Sequence, residues 1–162
     1  MMGNQFLSTH FSLKEFTESE TARKRGIANI PPEEAVENLR RLCENCLEPL
    51  REALGLPVII TSGYRTKELN ALLAHSSSTS QHTCGEAADF YVGKGSRELQ
   101  IKAFREILTN PKIDFDQMIL YPTFIHVSYV SREKNRHGIL LGRSDGKLGY
   151  GRCSLSSALQ IS

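Results

Sequence analysis

The sequence predicts an α+β domain in which helices come first and about four short strands follow, with two helices inserted among them. The strands form a small, mostly antiparallel sheet with helices packed on one face. Three observations carry this. An apolar stripe at spacings of three and four, with single steps between, runs from Val36 to Leu54. Four β-branched or aromatic runs follow Pro57. The last two are separated only by Pro122-Thr123, the spacing of a tight antiparallel hairpin. At 162 residues and 40% hydrophobic, the chain can bury one sizeable core. No repeat or boundary divides residues 1–162.

In chain order, residues 1–11 read as an arm. Ser12-Leu13-Lys14-Glu15 fits a capping box that opens a short helix to about Arg25, where Gly26 ends it. Pro31-Pro32 starts the long helix, and its stripe is Val36, Leu39, Leu42, Cys43, Cys46, Leu47, Leu50 and Leu54. Pro49 should kink it and Gly55 closes it. Pro57 to Tyr64 is a strand, Thr66 to Ala74 a helix, and Ser76 to Ser80 a polar loop. Ala87 to Val92 is the second strand. Ser96 caps a helix through Asn110 whose inward positions are Leu99, Ala103, Phe104, Ile107 and Leu108. Phe115 to Tyr121 and Phe124 to Val130 make the hairpin. The glycine-rich tail, 131–162, reads as loop with at most a short element.

A net charge of +2 with no basic block gives no reason to expect nucleic acid. No run is apolar enough for a secretory signal or a membrane span, so a target outside the cytoplasm would need another delivery route. The expected state is a monomer. The four cysteines imply no disulfide framework, and Cys43 and Cys46 read as small apolar residues on a buried helix face.

The chemistry centres on Ser80-Gln81-His82-Thr83-Cys84-Gly85-Glu86-Ala87-Ala88-Asp89. An imidazole and a carboxylate stand seven positions apart with a glycine between them. Strand alternation puts Ala87, Asp89 and Tyr91 on one face, and Phe124, His126 and Ser128 on one face of the later strand. A buried carboxylate is costly unless paired or metal-bound, and one metal would satisfy Asp89 and both imidazoles. Two histidines and a carboxylate are also the ligand set of an open zinc site. Taken singly each residue has a plainer explanation: a lone core histidine is usually hydrogen-bonded, and an Asp at a strand start is usually a cap. His10, His75 and His137 lack such a context and read as surface residues.

Three segments, Ile60-Thr61-Ser62-Gly63-Tyr64-Arg65, Ser80 through Asp89, and Ile125-His126-Val127-Ser128, together resemble the zinc D-alanyl-D-alanine carboxypeptidases and related phage cell-wall endopeptidases, peptidase family M15. His10-Phe11-Ser12-Leu13-Lys14-Glu15-Phe16 is similar to the start of that domain, and the resemblance runs to about residue 130. It implies the fold shared with hedgehog signalling domains, Zn2+ held by His82, Asp89 and His126, and a peptidoglycan peptide as substrate. Arg65 would hold a substrate carboxylate or carbonyl, and Ser80 would hydrogen-bond substrate near the metal. The family usually carries an acid shortly before the last histidine, as the base acting on water. Leu120 to His126 contains none here, which leaves Asp116, Glu86 and Tyr121 as substitutes, with Asp116 the nearest upstream acid. A chain without that base could instead be a zinc-containing module that binds wall peptide without cutting it.

Overall fold

A computed structural model of the chain describes residues 5–73, 79–142 and 152–162. Five strands form one sheet: β1 (Val58–Ser62), β2 (Ala87–Val92), β3 (Gln117–Leu120), β4 (Ile125–Ser128) and β5 (Gly138–Leu141). Their order is β1-β2-β4-β3-β5, antiparallel except for the β3–β5 pair. The hairpin is present, closed by Tyr121 N–H donating to the Phe124 carbonyl at 3.0 Å. β5 is an addition to the four expected strands and comes from the tail.

Alternation along the strands splits the sheet into two faces. Ala88, Phe90, Val92, Met118, Leu120, Ile125 and Val127 are buried on the inner face. They share one core with the helices α3 (Glu33–Leu42), α4 (Glu48–Leu54) and α6 (Arg97–Thr109). On the outer face Ile119, His126, Asp89 and Ser62 form one cross-strand row. The core face therefore fixes the register that aligns the polar row, because a slip of one residue would send Asp89 into the core.

α3 and α4 are one continuous helix joined by a π-helical turn, Cys43–Leu47. Pro49 explains the turn: it has no N–H for the Asn45 carbonyl, and its ring crowds that position. Glu48 N–H instead bonds back to the Cys43 carbonyl, and Asp114 N–H takes the Asn45 carbonyl at 3.0 Å. Cys43 and Cys46 are free and fully buried, and burial pushes both thiols up, away from the thiolate that metals and electrophiles need.

Several local expectations are corrected. The first helix is two, α1 (Leu13–Thr17) and α2 (Glu20–Arg25), because Glu18 is extended and the Ser19 side chain caps a new start by accepting from Ala22 N–H. The segment before Ser12 is docked, not a loose arm: Leu7 and Phe11 are buried. His10 is not an idle surface residue, since its Nδ1 and backbone N–H bond Glu48 at 2.6 and 2.7 Å. On α6 the buried positions include Gln100 and Ile101, while Leu99 is only half-buried. Gln100 closes the end of β2 through both Val92 backbone groups. The Thr66-capped helix is α5 (Lys67–Leu72). Ala74, the loop residues 76–78, His75 and the tail residues 143–151 lie outside the described residues. A last short helix, α7, spans Leu155–Ala158.

Candidate metal centre

His82 sits in a single 3-10 turn, Gln81–Cys84, ahead of β2. Ser80 starts the turn: its hydroxyl oxygen accepts from His82 N–H at 3.3 Å. The turn is joined to the end of β1 twice. Arg65 N–H donates to the His82 carbonyl at 3.0 Å, and His82 Nδ1 lies 2.7 Å from the Gly63 carbonyl. A carbonyl only accepts, so Nδ1 carries the proton and Nε2 is left with its lone pair. Gly63 is required here because a Cβ would sit 2.6 Å from the Phe16 backbone, which is packed against it. His82 is buried, and burial pushes its pKa down, which favours the neutral imidazole that ligates metals.

Nε2 of His82 faces Asp89 Oδ1 at 3.4 Å, and His126 Nδ1 lies 2.8 Å from the same oxygen. Asp89 and His126 are cross-strand partners, so the sheet register alone sets that contact. Burial would push the Asp89 carboxyl up, but the attraction of His82 and the hydrogen bond from His126 outweigh it and hold it well below the usual carboxylate range. The ligand atoms of all three residues lie within 4.8 Å of one another. A tetrahedral zinc with bonds near 2.05 Å spaces its ligands by about 3.3 Å, close to the His82–Asp89 separation. The donor set, the ionised Asp89 and the His82–Asp89 spacing fit zinc, and the 2.8 Å His126–Asp89 contact would open slightly to admit it.

Of the three candidate ligands, Asp89 also lines an open cleft, together with Thr61, Tyr91, Lys94, Gly95, Thr123 and Phe124. A family model, Peptidase M15, matches residues 9–128. The chain belongs to the peptidase M15 family. No curated protein matches it. The matched span contains His82, Asp89 and His126 and stops at the end of β4, so β5 and the strap before it lie beyond the M15 match.

The other residues singled out in the M15 segments are placed as follows. Arg65 is near the centre, but its guanidinium is turned inward: Nε and Nη2 reach Ser62 Oγ at 3.2 and 3.1 Å, Nη1 reaches Asn70 Oδ1 at 3.3 Å, and Nη2 stands 3.7 Å from Asp89 Oδ2. A fixed acid that the linear sequence does not reveal is thus its partner. Ser80 holds the His82 turn. Asp116 is fully enclosed, and its carboxylate accepts from Arg136 N–H, Nε and Nη2 at 2.8, 3.0 and 2.8 Å and from Gln81 Nε2 at 3.0 Å. Burial raises its pKa, but the Arg136 bonds prevail and lower it. A carboxylate so engaged is a poor base, and the geometry assigns it to anchoring the strap from Asn135 to His137.

That assignment makes a prediction. Asp116→Asn should lower stability by about 2–3 kcal/mol, the scale of a lost charge-assisted contact, and leave metal content unchanged. Because its folded pKa is depressed, the contribution of Asp116 is present above about pH 3.9 and is lost as pH falls through the folded value. Denaturant midpoints and metal analysis of the variant check both halves; lost metal at unchanged stability would return Asp116 to the site.

Glu86 has its pKa raised by burial, with Gln81 opposing, and its charged neighbours are Asp116, Glu34 and Lys134, none of which lines the cleft. Tyr121 stacks on Phe124 with ring centroids 4.4 Å apart, so it backs one wall of the cleft. His137 is also engaged, with Nε2 at 2.8 Å from Asp114 Oδ1. Sequence reasoning missed Lys94, Thr61 and Thr123. Tyr91 was signalled by sharing its strand face with Asp89.

Proposed function

We propose that the chain is a zinc metallopeptidase acting on peptidoglycan peptides, of the D-Ala-D-Ala carboxypeptidase or cell-wall endopeptidase type. The observation that carries this reading is the convergence of His82 Nε2, Asp89 Oδ1 and His126 Nδ1, with Asp89 also lining an open cleft, in a chain of the M15 family. Zinc held there supplies Lewis acidity and a water acidified toward neutral pH. The protein's part is positional. The Gly63 carbonyl fixes the tautomer and aim of His82, Arg65 steadies Asp89 through Oδ2, and the β2–β4 register holds His126 opposite Asp89. Outer partners of this kind change metal affinity or activity by about 10–100-fold when lost. No helix among the described residues is long and apolar enough to cross a membrane.

A second reading has its own support. Asp89 is the only acid among the described residues lining the cleft, and Asp116 is committed to Arg136. A missing general base costs about 10²–10⁴-fold, which would leave a zinc-stabilised module that binds wall peptide. Incubating zinc-loaded protein with purified peptidoglycan separates the two. New amino or carboxyl ends, found by mass spectrometry and abolished by chelator, are the expected result. Binding to peptidoglycan without new ends would establish the second reading in place of the first.

A further inference from the structure

We propose that Lys94 binds a carboxylate of the peptide substrate, so that the cleft selects acidic peptides. This rests on the peptide-binding part of the reading above and names the substrate class. Lys94 lies in the short turn between β2 and α6, closed by Gly95 N–H donating to the Val92 carbonyl at 3.1 Å. Gly93 N–H is tied to the Pro57 carbonyl at 2.9 Å. The backbone of Lys94 is therefore fixed, and the side chain lines the cleft with Asp89, Tyr91 and Phe124. None of the ion pairs among the described residues involves it.

The charge balance of the cleft gives its chemistry. Its one acid among the described residues is Asp89, already shared by two imidazoles and faced by Arg65. Arg65 is the cation expected to take a substrate carboxylate, but its side chain is only 14% exposed and all three of its guanidinium nitrogens already face Ser62, Asn70 or Asp89. Lys94 is exposed and does line the cleft, so the role of carboxylate partner falls to it. Lys94 follows Asp89 by five positions, so it lies at most about 17 Å from it along the chain at 3.3 Å per residue. An extended peptide crossing the ligands would thus present the matching carboxylate within a few residues of the bond at the metal. Tyr91 and Phe124 give that segment apolar walls, and an ammonium in such a cleft also attracts anionic ligands over a Debye length.

The test is calorimetric binding, at low ionic strength, of the zinc-loaded protein to Ala-D-Glu-Lys-D-Ala-D-Ala. Two further forms are compared, one amidated at the glutamate and one at the C-terminus. One of the amides should bind about five- to tenfold more weakly than the free acid, as expected for an ion pair between the exposed and enclosed limits. The amide that loses affinity identifies the carboxylate. In Lys94→Ala that preference should vanish, with affinity for the sensitive amide unchanged. In Lys94→Arg it should survive, and in Lys94→Glu it should invert. Zinc content should be equal in all four proteins. A preference undiminished in Lys94→Ala, or no binding to any form, overturns the proposal. The outcomes are separable from those for peptidase activity: Lys94-dependent binding without cleavage upholds this inference and rejects the peptidase, and cleavage indifferent to Lys94 does the reverse.

Discussion

Asp89→Ala should remove the metal and any hydrolysis together. Asp89 is the one residue that touches every other member of the centre: His82 and His126 at Oδ1, Arg65 at Oδ2. Without it two imidazoles with ring centroids 5.2 Å apart and a largely buried guanidinium are left with no anion among them. Two imidazoles alone hold zinc weakly. Affinity should fall by more than the roughly 100-fold that marks loss of an outer-sphere partner, and zinc content from about one per chain to near zero. Elemental analysis after dialysis against a limiting zinc buffer reads this directly. His126→Ala, with circular dichroism to establish folding, provides the same result without disturbing Arg65. Zinc retained in both variants would place the metal elsewhere.

The same centre sets an acid limit with a definite sign. The pKa of His82 is depressed by burial, so in the metal-free protein its contribution to stability is present above about pH 6.5 and declines as pH falls toward the folded value. The Asp89 carboxyl is depressed too, and its contribution holds above about pH 3.9 and is lost only in stronger acid. Acidification should therefore act on His82 first, while Asp89 is still ionised.

How much of this was legible depended on whether the information was periodic or pairwise. Ala87–Val92 was readable to the residue because alternation, a flanking Gly and a flanking turn agree. The proximity of His82 to Asp89 was readable because both lie in one short motif with Gly85 between them. What was hidden is long-range pairing between single residues. Glu48 with His10 and Arg136 with Asp116 are 38 and 20 positions apart and leave no local mark. β5 is four residues in a glycine-rich tail, and it exists because β3 offers an edge for parallel pairing. The break at Glu18 turned on Ser19, a polar residue that caps a helix as readily as it sits inside one. Lys94 carried no signal, since only the folded turn puts it at the cleft.

Gly85→Ala should be strongly damaging although Gly85 holds no candidate ligand atom. Gly85 ends the His82 turn with φ +75°, in the left-handed region. A Cβ added there would lie 2.4 Å from the Ala35 carbonyl oxygen and 3.0 Å from two further Ala35 backbone atoms. The obstacle is the backbone of α3, which cannot swing aside as a side chain would. The left-handed conformation costs about 1–2 kcal/mol for alanine, and forced overpacking about 1–3 kcal/mol more. Their sum is a large part of the 5–15 kcal/mol that holds a typical domain together. The strain also has a direction. The turn is bound to α3 by Asn38 Nδ2 donating to the Cys84 carbonyl at 2.9 Å, and relief requires the turn to lift from that helix. Lifting it draws His82 from the Gly63 carbonyl and from Asp89, so zinc affinity should fall even in the fraction that remains folded. Gly55→Ala isolates the cause: Gly55 has φ +64° but nothing within 4 Å of its would-be Cβ, so it carries the left-handed cost alone. Chemical denaturation of the two variants, with zinc titration of each, should show a markedly larger loss for Gly85→Ala and weakened metal only there. Equal losses, with zinc affinity intact in both, would mean that the turn does not depend on its contact with α3.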